Sequence, residues 1–275
     1  MSEEKNNLFG SDAFSPKEIA EKVENIGVAK ARLPLLSMVM LGLLAGAFVA
    51  LGAMFFVTVT SDPNLSFGWS RLVGGIVFSL GLVMVSIAGA ELFTGNNLIV
   101  MAWADKKIST GDVLKNWLVV CFSYFIGAVL IAFLLFMARH HEMNKGAVGD
   151  LYLKIAEAKC NISWEKAYFS GILCNILVCL AVWMAQAGRS VWDKVIVIIF
   201  PVAAFVAAGF EHSIANMFYI PMGIFIQAEQ NTSGDLITWI GLLNNLGPVI
   251  LGNLTGGSVF VALIYYVIYG KKKQL

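Results

Sequence analysis

Ala88-Gly89-Ala90-Glu91-Leu92-Phe93-Thr94-Gly95-Asn96 recurs 120 residues later as Ala208-Gly209-Phe210-Glu211-His212-Ser213-Ile214-Ala215-Asn216. Both stretches read Ala-Gly-x-Glu, with Asn five residues after the Glu. Each lies in a region with no other charge, residues 72–104 around Glu91 and residues 195–228 around Glu211. Straight helices of such length would run about 50 Å, against a hydrocarbon core of about 30 Å. The pieces beyond the glutamates, 13 and 17 residues, are short for crossings of their own. Each region therefore reads as one membrane crossing, interrupted near its glutamate.

Four further runs carry no charge: residues 33–61, 116–138, 167–188 and 236–270. About 20 apolar residues span a bilayer as helix, so each run predicts a membrane segment. The chain thus reads as an all-α membrane protein of six segments, the second and fifth broken at mid-membrane. Composition agrees. Apolar residues make up 58% and charged residues 13%, where a soluble domain carries about 25% charged. Mean hydropathy is +0.76. A soluble globular enzyme is excluded, and a net charge of +1 gives no basis for nucleic-acid binding. Cys121, Cys160, Cys174 and Cys179 lack metal-ligand spacing and read as small buried residues, so neither a metal nor a cofactor is expected. No apolar stretch follows a basic start, so no cleavable signal is expected.

Charge also orients the segments. With both termini cytoplasmic, 13 of the 19 Lys and Arg residues fall inside, among them Lys30, Lys106, Lys107 and Lys271 to Lys273. That bias follows the positive-inside rule, and Trp69, Trp103, Trp117, Trp164 and Trp192 fall near segment ends, where indole favours the interface. The expected organisation is a tail over 1–32, one membrane domain over 33–270 with halves at about 33–138 and 164–270, and a tail over 271–275. Ser15-Pro16-Lys17-Glu18 is a capping box with Pro at the first helical position. With Ile19, Val23 and Ile26 on one face, it predicts a short amphipathic helix at the cytoplasmic surface, either docked there or gating what lies beneath.

Three segments per half is an odd number, so the second copy enters the membrane inverted. Inverted repeats with broken helices in matching positions point to a transport pathway at their interface. A break in lipid is tolerated only where protein or a water-lined cavity satisfies the backbone. Thr94 and Ser213 are suitable N-caps for the second half-helices, whose free N–H groups would suit an anion. Glu91, Glu211 and His212 are the acid and imidazole groups of these runs. A central carboxylate costs about 2.5–3.5 kcal/mol on insertion scales, so each Glu is expected to accept hydrogen bonds from its own broken backbone. Imidazole ordinarily titrates near 6.5, which suits His212 for a transport role. His140 and His141, in the long outer loop, read as solvated. Gly42 and Gly46, and Gly252 and Gly256, form GxxxG pairs for close helix packing or oligomer contact.

Two other functions fit less well. A water or glycerol channel would need Asn-Pro-Ala at both breaks, and neither contains proline. A membrane-embedded hydrolase could use Ser213 beside His212. Adjacent residues rarely meet in that geometry, and no Gly-x-Ser-x-Gly elbow occurs.

The run Gly89–Asn96, taken with Gly209-Phe210-Glu211-His212-Ser213-Ile214-Ala215-Asn216-Met217, resembles the formate–nitrite transporter family. Ile220-Pro221-Met222-Gly223 and Gly171-Ile172-Leu173-Cys174-Asn175 are similar to its formate channels. The resemblance implies a homopentamer of aquaporin-like protomers in the bacterial inner membrane, each passing formate and related small monovalent anions. The place of His212 at a break adds proton exchange with the substrate as an expectation, with passive conduction left open. The resemblance also implies Thr94 and His212 as the central pore pair, with Asn175 bonded near the path. Phe78, Leu82, Leu92 and Phe205 would narrow the pore. Lys159, Glu211 and Asn216 would form a polar cluster toward the outside, with Glu91 a further polar group near the pore. Thr94-Gly95-Asn96 is closer to the nitrite-channel version of this loop than to the Thr-Ser-Thr version of formate channels, so a nitrite or hydrosulfide preference stays open.

Overall fold

Apolar runs become helices because a helix satisfies its own backbone groups where water cannot. The computed structural model describes residues 14–230 and 237–270. The expected tail segments 1–13 and 271–275 lie outside the described residues. Helix α1 (Pro16–Ala31) leads into α2 (Leu35–Thr60). Helices α3 (Phe67–Phe78) and α4 (Leu80–Met84) continue into a π-helical turn, Val85–Gly89. The chain then opens, and it resumes as a 3-10 turn, Gly95–Ile99, and α5 (Val100–Ala104). Helix α6 (Thr110–Met137) ends the first half. Helix α7 (Ala147–Cys160) precedes the second half, which comprises α8 (Trp164–Ala185), α9 (Val191–Ala208), α10 (Ser213–Gln230) and α11 (Trp239–Leu254). A π-helical stretch, Thr255–Leu263, joins α11 to α12 (Ile264–Tyr269).

Six helical runs are long and apolar enough to cross a membrane: 35–60, 67–89, 110–137, 164–185, 191–208 and 239–269. The protein is a multi-pass membrane protein. The two interruptions fall where the repeated motif placed them, and their cause is the glycine two residues before each glutamate. Gly89 (φ +85°) and Gly209 (φ +72°) adopt the left-handed conformation that ends a helix, which L side chains resist. Beyond each break the chain is enclosed: every residue from Glu91 to Ala102 and from Glu211 to Gly223 is buried. Irregular backbone at this depth is thus covered by protein.

The capping box at Ser15 and Glu18 forms. Ile19, Ala20 and Val23 of α1 enter a core cluster with Leu98, Val100 and Met101, so the helix docks on the first break. Two expectations need correction. Neither Thr94 nor Ser213 caps a half-helix with its side chain: Thr94 makes no cap hydrogen bond, and the Ser213 hydroxyl has no partner among the described residues. Nor are His140 and His141 simply solvated. The segment after α6 folds into α7, which packs beside them. His141 is buried with Nε2 2.9 Å from Glu229, and His140 lies 3.1 Å from the Thr58 hydroxyl. Burial, then the neighbouring His141, pushes the His140 pKa below the usual imidazole value.

Candidate functional site

The breaks meet. Thr94 Oγ1 lies 3.2 Å from His212 Nε2, both side chains buried. The Phe205 ring stands 5.2 Å from the imidazole and meets Phe78 edge-on at 5.9 Å. One cavity of about 1030 Å³ reaches this point, lined by Phe78, Lys159, Phe205, Glu211, His212 and Asn216 among others. A second, of about 340 Å³, is lined by Leu82, Glu91, Leu92 and Asn96, with Lys30 of α1 at its edge. The four residues expected to narrow the path thus divide into Phe78 and Phe205 on one cavity and Leu82 and Leu92 on the other. All four are buried.

The glutamates are satisfied differently from the expectation. Their carboxylates bond side chains and not their own broken backbone. Glu211 receives Lys159 Nζ at 3.1 and 3.2 Å and Asn216 Nδ2 at 2.7 Å. Glu91 receives Lys30 Nζ at 2.9 Å and Asn96 Nδ2 at 2.7 Å. The backbone N–H groups go elsewhere, Glu91 N–H to the Leu41 carbonyl and Glu211 N–H to Ser170 Oγ. An ammonium and a side-chain amide satisfy each carboxylate, which meets the cost of burying it.

The clusters correspond member by member. Asn216 also donates to Asn245 Oδ1 at 2.7 Å, and Asn245 Nδ2 to the Lys159 carbonyl at 3.0 Å. In the first half Asn96 donates to Asn116 Oδ1 at 2.9 Å, and Asn116 Nδ2 to the Lys30 carbonyl at 3.4 Å. Sequence reading brought together Lys159, Glu211 and Asn216, but missed Lys30, Asn116 and Asn245. A signal existed. Lys30 and Lys159, and Asn116 and Asn245, are each 129 residues apart, whereas the breaks are offset by 120. A search at the single offset of the breaks passes over them.

Asn175 lies behind the first break. Its Nδ2 donates to the Asn253 carbonyl at 2.7 Å and to the Thr94 carbonyl at 3.3 Å. Chemically, the arrangement offers a hydroxyl and an imidazole at a buried constriction, with a lysine-bearing cluster at each cavity beside it. A small anion could be received at either lysine and exchange a hydrogen bond or a proton at the centre. The Ser213 hydroxyl and His212 Nδ1 have no hydrogen-bond partner among the described residues, so the two side chains are not joined.

The family model described as Formate/nitrite transporter matches residues 17–267. The chain is 41% identical over 272 residues to formate channel FocA of Escherichia coli (strain K12), covering 94% of this chain and 95% of that one. A solved structure described as a pentameric formate channel with formate bound is 38% identical, with a TM-score of 0.79 over 86% of this chain and 98% of that chain. One described as an FNT family ion channel is 30% identical, with a TM-score of 0.82 over 91% and 98%.

Proposed function

Because the chain belongs to the formate/nitrite transporter family, we propose that it is a channel for formate and related small monovalent anions. It works as a homopentamer in the bacterial inner membrane, with both termini cytoplasmic, and moves its substrate without converting it. The observation that carries this reading is the Thr94–His212 contact at 3.2 Å between two cavities, each lined by the Lys, Glu and first Asn of one cluster. Relatives matched over nearly their whole length carry formate in their names, so formate leads over nitrite or hydrosulfide. The pore belongs to one domain over residues 33–270. The lysine of α1 answers that of α7, so these helices act with the halves they precede.

In this reading Lys30 and Lys159 collect the anion, and Phe78, Leu82, Leu92 and Phe205 strip its water. Thr94 and His212 supply the central hydrogen bonds, and Asn175 holds the Thr94 carbonyl from behind. Glu91, Glu211 and Asn216 hold the lysines in register. Purified protein in liposomes should pass formate well above potassium, since an unpaired acidic ring faces neither cavity. Potassium flux equal to formate flux would overturn the reading.

The apolar collar gives a second expectation. Alanine at Phe78 or Phe205, each 5% exposed or less, removes a ring from the dry wall and admits water. Formate flux should rise several-fold, and discrimination against larger monocarboxylates should fall, as measured by competitive uptake. Leu82→Ala and Leu92→Ala should do the same from the other side. Unchanged flux in all four variants would remove them from the path.

A further inference from the structure

Asn253 holds the chain on both sides of His212. Its Oδ1 accepts the Ser213 N–H at 3.0 Å, and its Nδ2 donates to the Glu211 carbonyl at 3.1 Å and to the Gly171 carbonyl at 2.8 Å. The same residue's main-chain carbonyl accepts Asn175 Nδ2 at 2.7 Å and Asn97 Nδ2 at 3.1 Å. Through Asn175 this second grip extends to the Thr94 carbonyl. Asn97, Asn175 and Asn253 are all fully buried.

The fold of a half does not itself demand this residue. At the offset of 129 residues, the matching position of α6 is Tyr124, also fully buried. Its hydroxyl has no hydrogen-bond partner among the described residues, and the first break is tied instead by Glu91 N–H to the Leu41 carbonyl. The asparagine therefore stands only in the half that carries the histidine. It also takes up the Ser213 N–H, one of the donors that a half-helix start would otherwise offer to an anion. In a site this dry, a lost bond leaves its partners unsatisfied, so they move to find others.

We infer that Asn253 is the positioning residue of the pore pair: by holding the peptides that flank His212, and through Asn175 the Thr94 carbonyl, it sets the approach of Nε2 to the Thr94 hydroxyl. The inference rests on the proposed formate channel and deepens it. Asn253 touches no substrate; it acts through His212.

The test is a double-variant cycle read as formate uptake against external pH, in liposomes carrying equal amounts of monodisperse protein. Asn253→Ala should lower the pH-dependent part of uptake roughly tenfold. Asn253→Asp keeps the acceptor for Ser213 N–H but loses both donated bonds, and should fall between Asn253→Ala and the natural protein. It carries the test if the alanine variant does not fold. In a His212→Ala background, Asn253→Ala should add no further loss, the non-additivity expected of a residue acting through another. An unchanged pH profile in Asn253→Ala or Asn253→Asp, or the same proportional loss with and without His212, would overturn the inference. Absence of formate flux in the natural protein would instead fail the channel reading itself.

Discussion

His212→Ala is expected to cut proton-linked formate uptake by roughly 100-fold while a pH-independent anion leak persists. A bare monovalent anion loses several kcal/mol or more of hydration at a constriction walled by Phe78, Phe205, Leu82 and Leu92. Protonation removes the charge. A small carboxylic acid titrates near pH 4, so protonating formate in neutral water costs about 1.36 kcal/mol per pH unit, or about 4 kcal/mol over three units. Desolvation beside the rings favours the neutral acid over the carboxylate, which lowers that cost at the constriction. On the proposed reading, protonated His212 gives its Nε2 proton to a formate oxygen, formic acid crosses the collar, and the neutral imidazole is reprotonated from solvent. Thr94 Oγ1, 3.2 Å from Nε2, holds the ring in place for the exchange. Alanine removes the proton and opens space, hence a leak without proton linkage. His212→Phe fills that space with a third ring beside Phe205 and Phe78 and should reduce conduction to near background. The measurement is uptake against external pH together with proton stoichiometry. A normal pH profile in His212→Ala would reduce the residue to a fixed donor.

Gly46→Val and Gly252→Val are expected to abolish folded protein. A Cβ on Gly46 would stand 2.2 Å from the Tyr124 carbonyl oxygen, and one on Gly252 would stand 2.2 Å from that of Tyr168. Both neighbours are backbone, so helix α2 must leave α6, or α11 must leave α8. Each shift costs about 3 kcal/mol or more and pulls Asn116 or Asn253 from its partners. Loss of the monodisperse peak on size exclusion in detergent reads the effect. Gly247→Ala, where nothing lies within 4 Å, is the matched substitution on α11 and should retain the peak. A normal peak from Gly46→Val would mean that α2 and α6 separate easily. These glycines answer a choice that the motif alone left open: Gly42, Gly46, Gly252 and Gly256 all serve packing within the chain.

Spans and breaks were legible because burying charge in hydrocarbon carries a cost that falls on each residue wherever it lies along the chain. Gaps between charges therefore mark six crossings without any knowledge of neighbours. A repeated Ala-Gly-x-Glu marks two interruptions because glycine alone takes the left-handed turn at no steric cost. Pairing is a different kind of fact. Thr94 and His212 are 118 residues apart, and Lys30 reaches Glu91 from a helix that reads by itself as an isolated amphipathic segment. The capping expectation failed because the helix begins one residue earlier. Ser213 is a good N-cap by local propensity, but the Ala215 and Asn216 N–H groups go to the His212 carbonyl, while the Ser213 N–H goes to Asn253, 40 residues on, and the hydroxyl stays unbonded. The sequence by itself determined where the chain crosses, where it breaks and which family's motif it carries, since these follow from local backbone geometry and the cost of moving each residue out of water. Only the tertiary structure decided what satisfies each buried carboxylate and what holds His212 against Thr94. Those bonds exist only when helices distant in the chain pack close enough for side-chain amides to reach across.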